Sequence, residues 1–156
     1  MLTLTSPAFA EGGTIPIRHS GRGEDLSPAF AVAGIPEGTV SLALLLEDAS
    51  HPLFRDFPHW LLWDLPPLDT LPEGIAPGET VVIQGTTATQ GKAYGPHRYA
   101  GPKPPPLRRH RYRFTLLALD RRLGLPPGTG KKGLLRAAEG HVLARAELNG
   151  WFPGRR

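Results

Sequence analysis

The sequence predicts a mainly β, largely antiparallel domain with one helix near its C-terminus. Apolar residues recur with a period of two or in short continuous runs, which is the pattern of strands rather than helices. The runs are separated by turn formers, with 18 prolines and 19 glycines among 156 residues. Only the stretch after residue 130 carries apolar residues at three- and four-residue steps.

Residues 1–10 read as a first strand: the Ala8, Phe9, Ala10 triplet has no basic segment or adequate apolar core ahead of it, so it does not make a secretory signal. Residues 39–46 are β-suited and lie between Pro36, Glu37, Gly38 and the turn at Asp48, which predicts a buried central strand. Residues 60–65, ended by Pro66 and Pro67, predict another, and residues 80–84 a shorter one. Residues 110–119 alternate basic and apolar side chains over their first half, as a strand with one wet face does. From 131 to 148, Leu135, Ala138, Val142 and Ala146, continued by Asn149, describe one amphipathic helix. Residues 85–109 contain no recognisable helix or strand, and an irregular segment of that length inside a compact domain implies a binding role. Tyr94, Tyr99 and the four prolines at 102, 104, 105 and 106 are expected to stiffen it into the wall of a pocket.

A chain of 156 residues fits one domain, residues 1–156, that buries roughly two thirds of the surface its unfolded form exposes. Cysteine is absent, which removes disulfides, thiolate nucleophiles and cysteine-rich zinc sites. The formal charge of +4 is scattered, with small clusters at Arg108, Arg109, Arg111 and Arg113 and at Lys131 and Lys132; this reads as a solvated face, not a nucleic-acid site. No run approaches the ~18 apolar residues of a membrane span, so the expectation is a soluble, cytoplasmic protein. One Asn, two Gln and proline-rich loops fit a heat-adapted source.

Two distant segments carry the chemistry. Glu47, Asp48, Ala49, Ser50, His51 and Pro52 lead to Pro58, His59 and Trp60; Tyr99, Ala100, Gly101, Pro102, Lys103, Pro104 and Pro105 lead to His110, Arg111 and Tyr112. Each joins a proline-stiffened turn to a histidine on a strand, and rigid turns preorganise polar groups. One carboxylate, two histidines and a tyrosine suit a small anion, with imidazole and phenol as donors and the carboxylate orienting a histidine or meeting a cationic head-group. His51, His97 and His141 read as structural or exposed, and His19 sits near an early loop.

These segments resemble the phosphatidylethanolamine-binding protein family, in its bacterial Raf kinase inhibitor-like branch. Gly13 to Pro16, Asp25 to Pro28, Gly34 to Thr39, and the C-terminal Gly140 to Ala144 and Glu147 to Gly150 extend the likeness over nearly the whole chain. The resemblance implies an antiparallel β-sheet or sandwich with Greek-key connections. It also implies a non-enzymatic pocket for a small anion or phosphorylated head-group, formed by Asp48, Pro52, His59, Trp60, Gly101, Pro102, Pro104, His110 and Tyr112. Regulation or inhibition of a protein partner and a homodimer belong to the same expectation; a cofactor or metal does not.

The chain departs from the family pattern where Ala49 and Ser50 replace a proline and a second aspartate, where Lys103 replaces a small residue, and at Val32 in place of a frequent tryptophan. Losing a carboxylate and gaining a lysine makes the pocket more electropositive. No Gly-x-Ser-x-Gly elbow, His-Glu-x-x-His or phosphate loop occurs. The enzymatic alternative is a small hydrolase using Ser50, His59 and Asp48. In a binding protein Ser50 only shapes its turn and lowers the pocket's negative charge, so Ser50→Ala is expected to leave anion affinity nearly unchanged.

Overall fold

The computed structural model describes residues 1–153 and arranges them in three layers. A small sheet holds β1 (Thr3–Thr5), β3 (Phe30–Ala33) and β6 (Thr70–Leu71) in the order β1-β3-β6. A seven-stranded sheet holds β2 (Gly13–Thr14), β4 (Ser41–Asp48), β5 (Phe57–Leu65), β7 (Thr80–Ile83), β8 (Thr86–Gln90), β9 (His110–Leu119) and β10 (Val142–Phe152), in the order β2-β10-β9-β4-β5-β8-β7. Every pairing is antiparallel except that of β2 with β10. The third layer is α1 (Lys131–Ala138).

Because successive strand side chains point to opposite faces, the central strands feed two cores. Leu42, Leu44 and Leu46 of β4, with Phe114 and Leu116 of β9, pack toward Leu4, Phe30, Val32 and Leu71 of the small sheet. Ala43, Leu45, Leu117 and Leu119 pack with Leu134 and Ala138 of α1. With both faces covered, all eight residues of β4 are buried, which accounts for its nearly unbroken apolar sequence.

The mainly β class with a helix near the C-terminus is found, but the helix is shorter than its sequence pattern. It stops at Ala138, where Gly140 at φ 80° takes the left-handed conformation and the His141 N–H returns to the Ala138 carbonyl at 2.9 Å. Residues 142–148, read as helix, instead begin the eleven-residue β10 along β9. A step of four is even and therefore satisfies both periods: Val142 and Ala146 fit a helix, yet Ala146, Leu148, Gly150 and Phe152 are the buried alternate residues of a strand. The irregular segment is also shorter than expected, because residues 86–90 form β8.

Candidate functional site

The carboxylate and the two strand histidines converge because β5, β4 and β9 are neighbours that reach the same end of the sheet. Asp48 closes β4, lying opposite Phe57 on β5 and opposite Tyr112 on β9. Alternation sends Asp48 to the side of Leu44 and Leu46, and His110 to the side of Tyr112. His59 arrives by a different device. Leu46 pairs with Trp60 while Glu47 pairs with Pro58, so the register slips by one and His59 is the extra residue of a β-bulge. Strict alternation would turn His59 away from Trp60; the bulge re-aims it, and its ring lies 5.5 Å from that of Tyr112.

His110 and Asp48 form a buried pair, with His110 Nδ1 2.7 Å from Asp48 Oδ2. A carboxylate only accepts, so Nδ1 carries the proton. The other oxygen, Oδ1, receives the Ser50 N–H at 2.8 Å, and Ser50 Oγ receives the Arg111 N–H at 2.9 Å. Ser50 therefore clips its turn to β9, and among the described residues it has no hydrogen bond to a histidine. Ser50→Ala would leave the Arg111 N–H without this acceptor, a matter of stability rather than of anion affinity. The triad weighed from the sequence is wrongly connected, because Asp48 stands behind His110 rather than His59.

His59 donates from Nδ1 to the Ala100 carbonyl at 2.9 Å. Burial pulls its pKa below the ordinary 6.5; the Ala100 carbonyl and the Asp48 charge act the other way and do not prevail. The peptide carrying Ala100 is fixed by the loop around residues 19–25. Tyr99 donates its hydroxyl to the His19 carbonyl at 2.5 Å, Gly101 N–H reaches Asp25 Oδ1 at 2.8 Å, Gly21 N–H reaches the Pro102 carbonyl at 2.8 Å, and Arg22 reaches the Pro104 carbonyl. Gly101 is demanded by this packing: a Cβ there would stand 2.2 Å from the His19 carbonyl oxygen.

Between these walls lies a cavity of about 260 Å³. Of the residues singled out in the sequence, Asp48, Pro52, His59, Pro104, His110 and Tyr112 line it. Gly101, Pro102 and Trp60 stand behind the lining. Trp60 is fully buried and donates its indole N–H to Gln90 at 2.8 Å, while Gly101 and Pro102 serve the loop clamp. Of the expected loop wall, Tyr94, Pro104 and Pro105 line the cavity, whereas Tyr99 is buried against Trp60.

His51, Leu53, Phe57 and Lys103 also line the cavity. His51, which reads from sequence as structural or exposed, accepts the Leu53 and Phe54 N–H groups at Nδ1, at 3.1 and 3.0 Å. Phe57 was missed: β5 begins there, two residues before His59 and three before the start read from the sequence. Asp25 had no local signal, because its partner is 76 residues away.

Tyr112 is held neutral. Burial and then the Asp48 charge raise its pKa well above the phenol range, against the Lys103 backbone N–H beside its oxygen. A protonated phenol can donate its hydroxyl proton to an acceptor. A larger cavity of about 710 Å³ shares Pro105 with this one, but Ile15, Ile17, Leu107 and Phe152 dominate it and no histidine or carboxylate lines it. Among the described residues no cluster of His, Asp and Glu is placed to hold a metal ion, and no helix is long and apolar enough to cross a membrane.

The family model for phosphatidylethanolamine-binding protein matches residues 5–153, and the chain belongs to that family. A UPF0098 protein of Pyrococcus horikoshii is 35% identical over 154 residues, covering 97% of this chain and 77% of the relative. A UPF0098 protein of Methanothermobacter thermautotrophicus is 37% identical over 151 residues, covering 97% and 98%. The crystal structure of a phosphatidylethanolamine-binding protein homolog from Chlamydia trachomatis shares the fold at a TM-score of 0.82 and 34% identity, covering 99% of this chain and 98% of its own. That of Escherichia coli YbcL, described as a member of the mammalian family, superposes at a TM-score of 0.86 with 24% identity, covering 99% of each chain, and speaks to the fold alone. None of these names is a catalytic one.

Proposed function

We propose that the cavity binds a small oxyanion or phosphorylated head-group without transforming it. The observation that carries this reading is the Tyr112 hydroxyl, held protonated beside the buried Asp48–His110 pair in a cavity rimmed by Lys103. Only an acceptor uses that donor, and phosphate oxygens are strong acceptors. Asp48 is already engaged on both oxygens, by Ser50 and His110, and serves as support rather than as a ligand group.

Hydrolysis is disfavoured by the engagement of Ser50 with the Arg111 amide. Nucleic-acid binding is disfavoured because the cationic strand is spent internally: Arg109 lies over the Trp151 ring at 3.9 Å, Arg111 reaches Asn149 at 3.3 Å, and Arg113 is enclosed by Glu47, Asp56 and Glu147. Titration of inorganic phosphate into wild type and His110→Ala by calorimetry tests the reading. Loss of binding in the variant is expected; equal affinity in the two proteins rejects this placement of the site.

A further inference from the structure

The three imidazoles on the cavity have their Nδ1 atoms committed, and the commitments differ. His51 Nδ1 receives two backbone N–H groups, so in the neutral ring its proton sits on Nε2. His59 and His110 both donate from Nδ1, which leaves Nε2 of each without a hydrogen bond recorded to any described residue. The two then part company. A proton on His110 Nε2 is balanced by the Asp48 carboxylate on the other side of the ring. His59 has a neutral carbonyl there, sits 6% exposed, and is pressed by the rings of Phe57, Tyr94 and Tyr112 at 5.8, 5.1 and 5.5 Å.

The titratable and charged groups facing His59 are Asp48 from β4, Tyr112 and His110 from β9, Tyr94 and Lys103 from the long loop, His51 from the turn before β5, and Asp25 behind Gly101. The carboxylates of Asp48 and Asp25 and the Ala100 and Gly101 carbonyls favour a charged ring, and burial outweighs them. The neutral ring therefore presents a lone pair to the cavity. An anion with only bare oxygens meets lone pair against lone pair at that point.

We propose that the site selects a singly protonated tetrahedral oxyanion, the monoanion of a phosphate monoester, with His59 Nε2 accepting the ligand's own P–O–H while Tyr112, His110 and Lys103 serve its unprotonated oxygens. This rests on the anion-binding reading above and narrows it to a ligand that brings its own proton. It replaces the expectation that both strand histidines act as donors.

Methyl phosphate and methyl sulfate provide the test, because at pH 5 both carry about one negative charge and only the phosphate, whose second pKa is about 6, keeps a hydroxyl. Titration followed by histidine side-chain NMR is expected to give methyl phosphate at least about tenfold the affinity of methyl sulfate, as expected for one satisfied buried acceptor. Methyl phosphate affinity falls as pH rises past the ligand's pKa, and in the complex the His59 ring is in its Nδ1–H form. In His59→Gln, whose amide can donate, the preference narrows or reverses. Equal affinities in wild type, or a His59 ring protonated on Nε2, overturn the proposal and leave the anion site standing. Failure of both ligands to shift any cavity resonance rejects the site, and the proposal with it.

Discussion

Gly101→Ala tests whether the loop clamp, and not the strand alone, sets the chemistry of His59. The new Cβ would stand 2.2 Å from the His19 carbonyl oxygen, 2.7 Å from Asp25 Oδ1 and 2.9 Å from Tyr99 Cε2. The first of these is backbone and cannot step aside as a side-chain end does. Relief requires the two loops to separate, which breaks the Gly101–Asp25 and Tyr99–His19 hydrogen bonds. Those bonds contribute about 1 kcal/mol each, and forcing a methyl into packed structure costs about 1–3 kcal/mol. A loss of about 3 kcal/mol or more in urea unfolding is expected, equivalent to roughly 6–12 °C in Tm for a domain of this size. Because Ala100 moves with Gly101, the folded variant should also lose the Nδ1–H preference of His59, seen by NMR, and bind phosphate more weakly. A cost below about 1 kcal/mol with His59 unchanged would refute the clamp.

Glu47→Ala removes the buried carboxylate that Arg113 contacts at 3.3 Å and that Lys131 of α1 also contacts. Asp56 at 2.9 Å still serves Arg113, so the cost should fall near the lower end for a broken buried pair, about 3 kcal/mol, while phosphate affinity stays within twofold because this network lies on the α1 side of the sheet. Ser50→Ala should cost about 1 kcal/mol in urea unfolding by stranding the Arg111 N–H, without creating or abolishing turnover of an activated ester. Ser50→Asp should weaken phosphate binding by about 1 kcal/mol through an added like charge, measured by calorimetry. Stability should also decline as pH falls below 6.5: His59 has a depressed pKa in the folded state, so the unfolded chain binds its proton more readily and acid favours unfolding. Urea midpoints at pH 7.5 and pH 5 should differ less in His59→Gln than in wild type; identical differences would remove His59 from the linkage.

How much of this was legible depends on whether a local pattern or a distant partner decides each element. The boundaries of β9 follow from the sequence because His110, Tyr112 and Phe114 alternate with Arg111 and Arg113 and then run into an apolar stretch that both faces of the sheet bury. β8 has one apolar residue, Ala88, in a Thr-rich segment, and forms because Gln84 and Gly85, both at positive φ, make a two-residue hairpin that lays Thr86 against Ile83. Gln at the first of those positions is a weak turn signal, and the strand was missed with it.

The site divides in the same way. Asp48, His110 and Tyr112 are brought together by strand register, and the order of turn and strand in the sequence exposes them. The role of His59 depends on a one-residue slip between β4 and β5 and on a carbonyl 41 residues away. Residue type alone suggests a donor, since imidazole is so often one near an anion. The bulge and the Ala100 carbonyl together turn it into an acceptor. The sequence therefore identifies which side chains meet, but the direction in which hydrogen bonds run between them is decided by backbone groups whose positions exist only once the loops have closed.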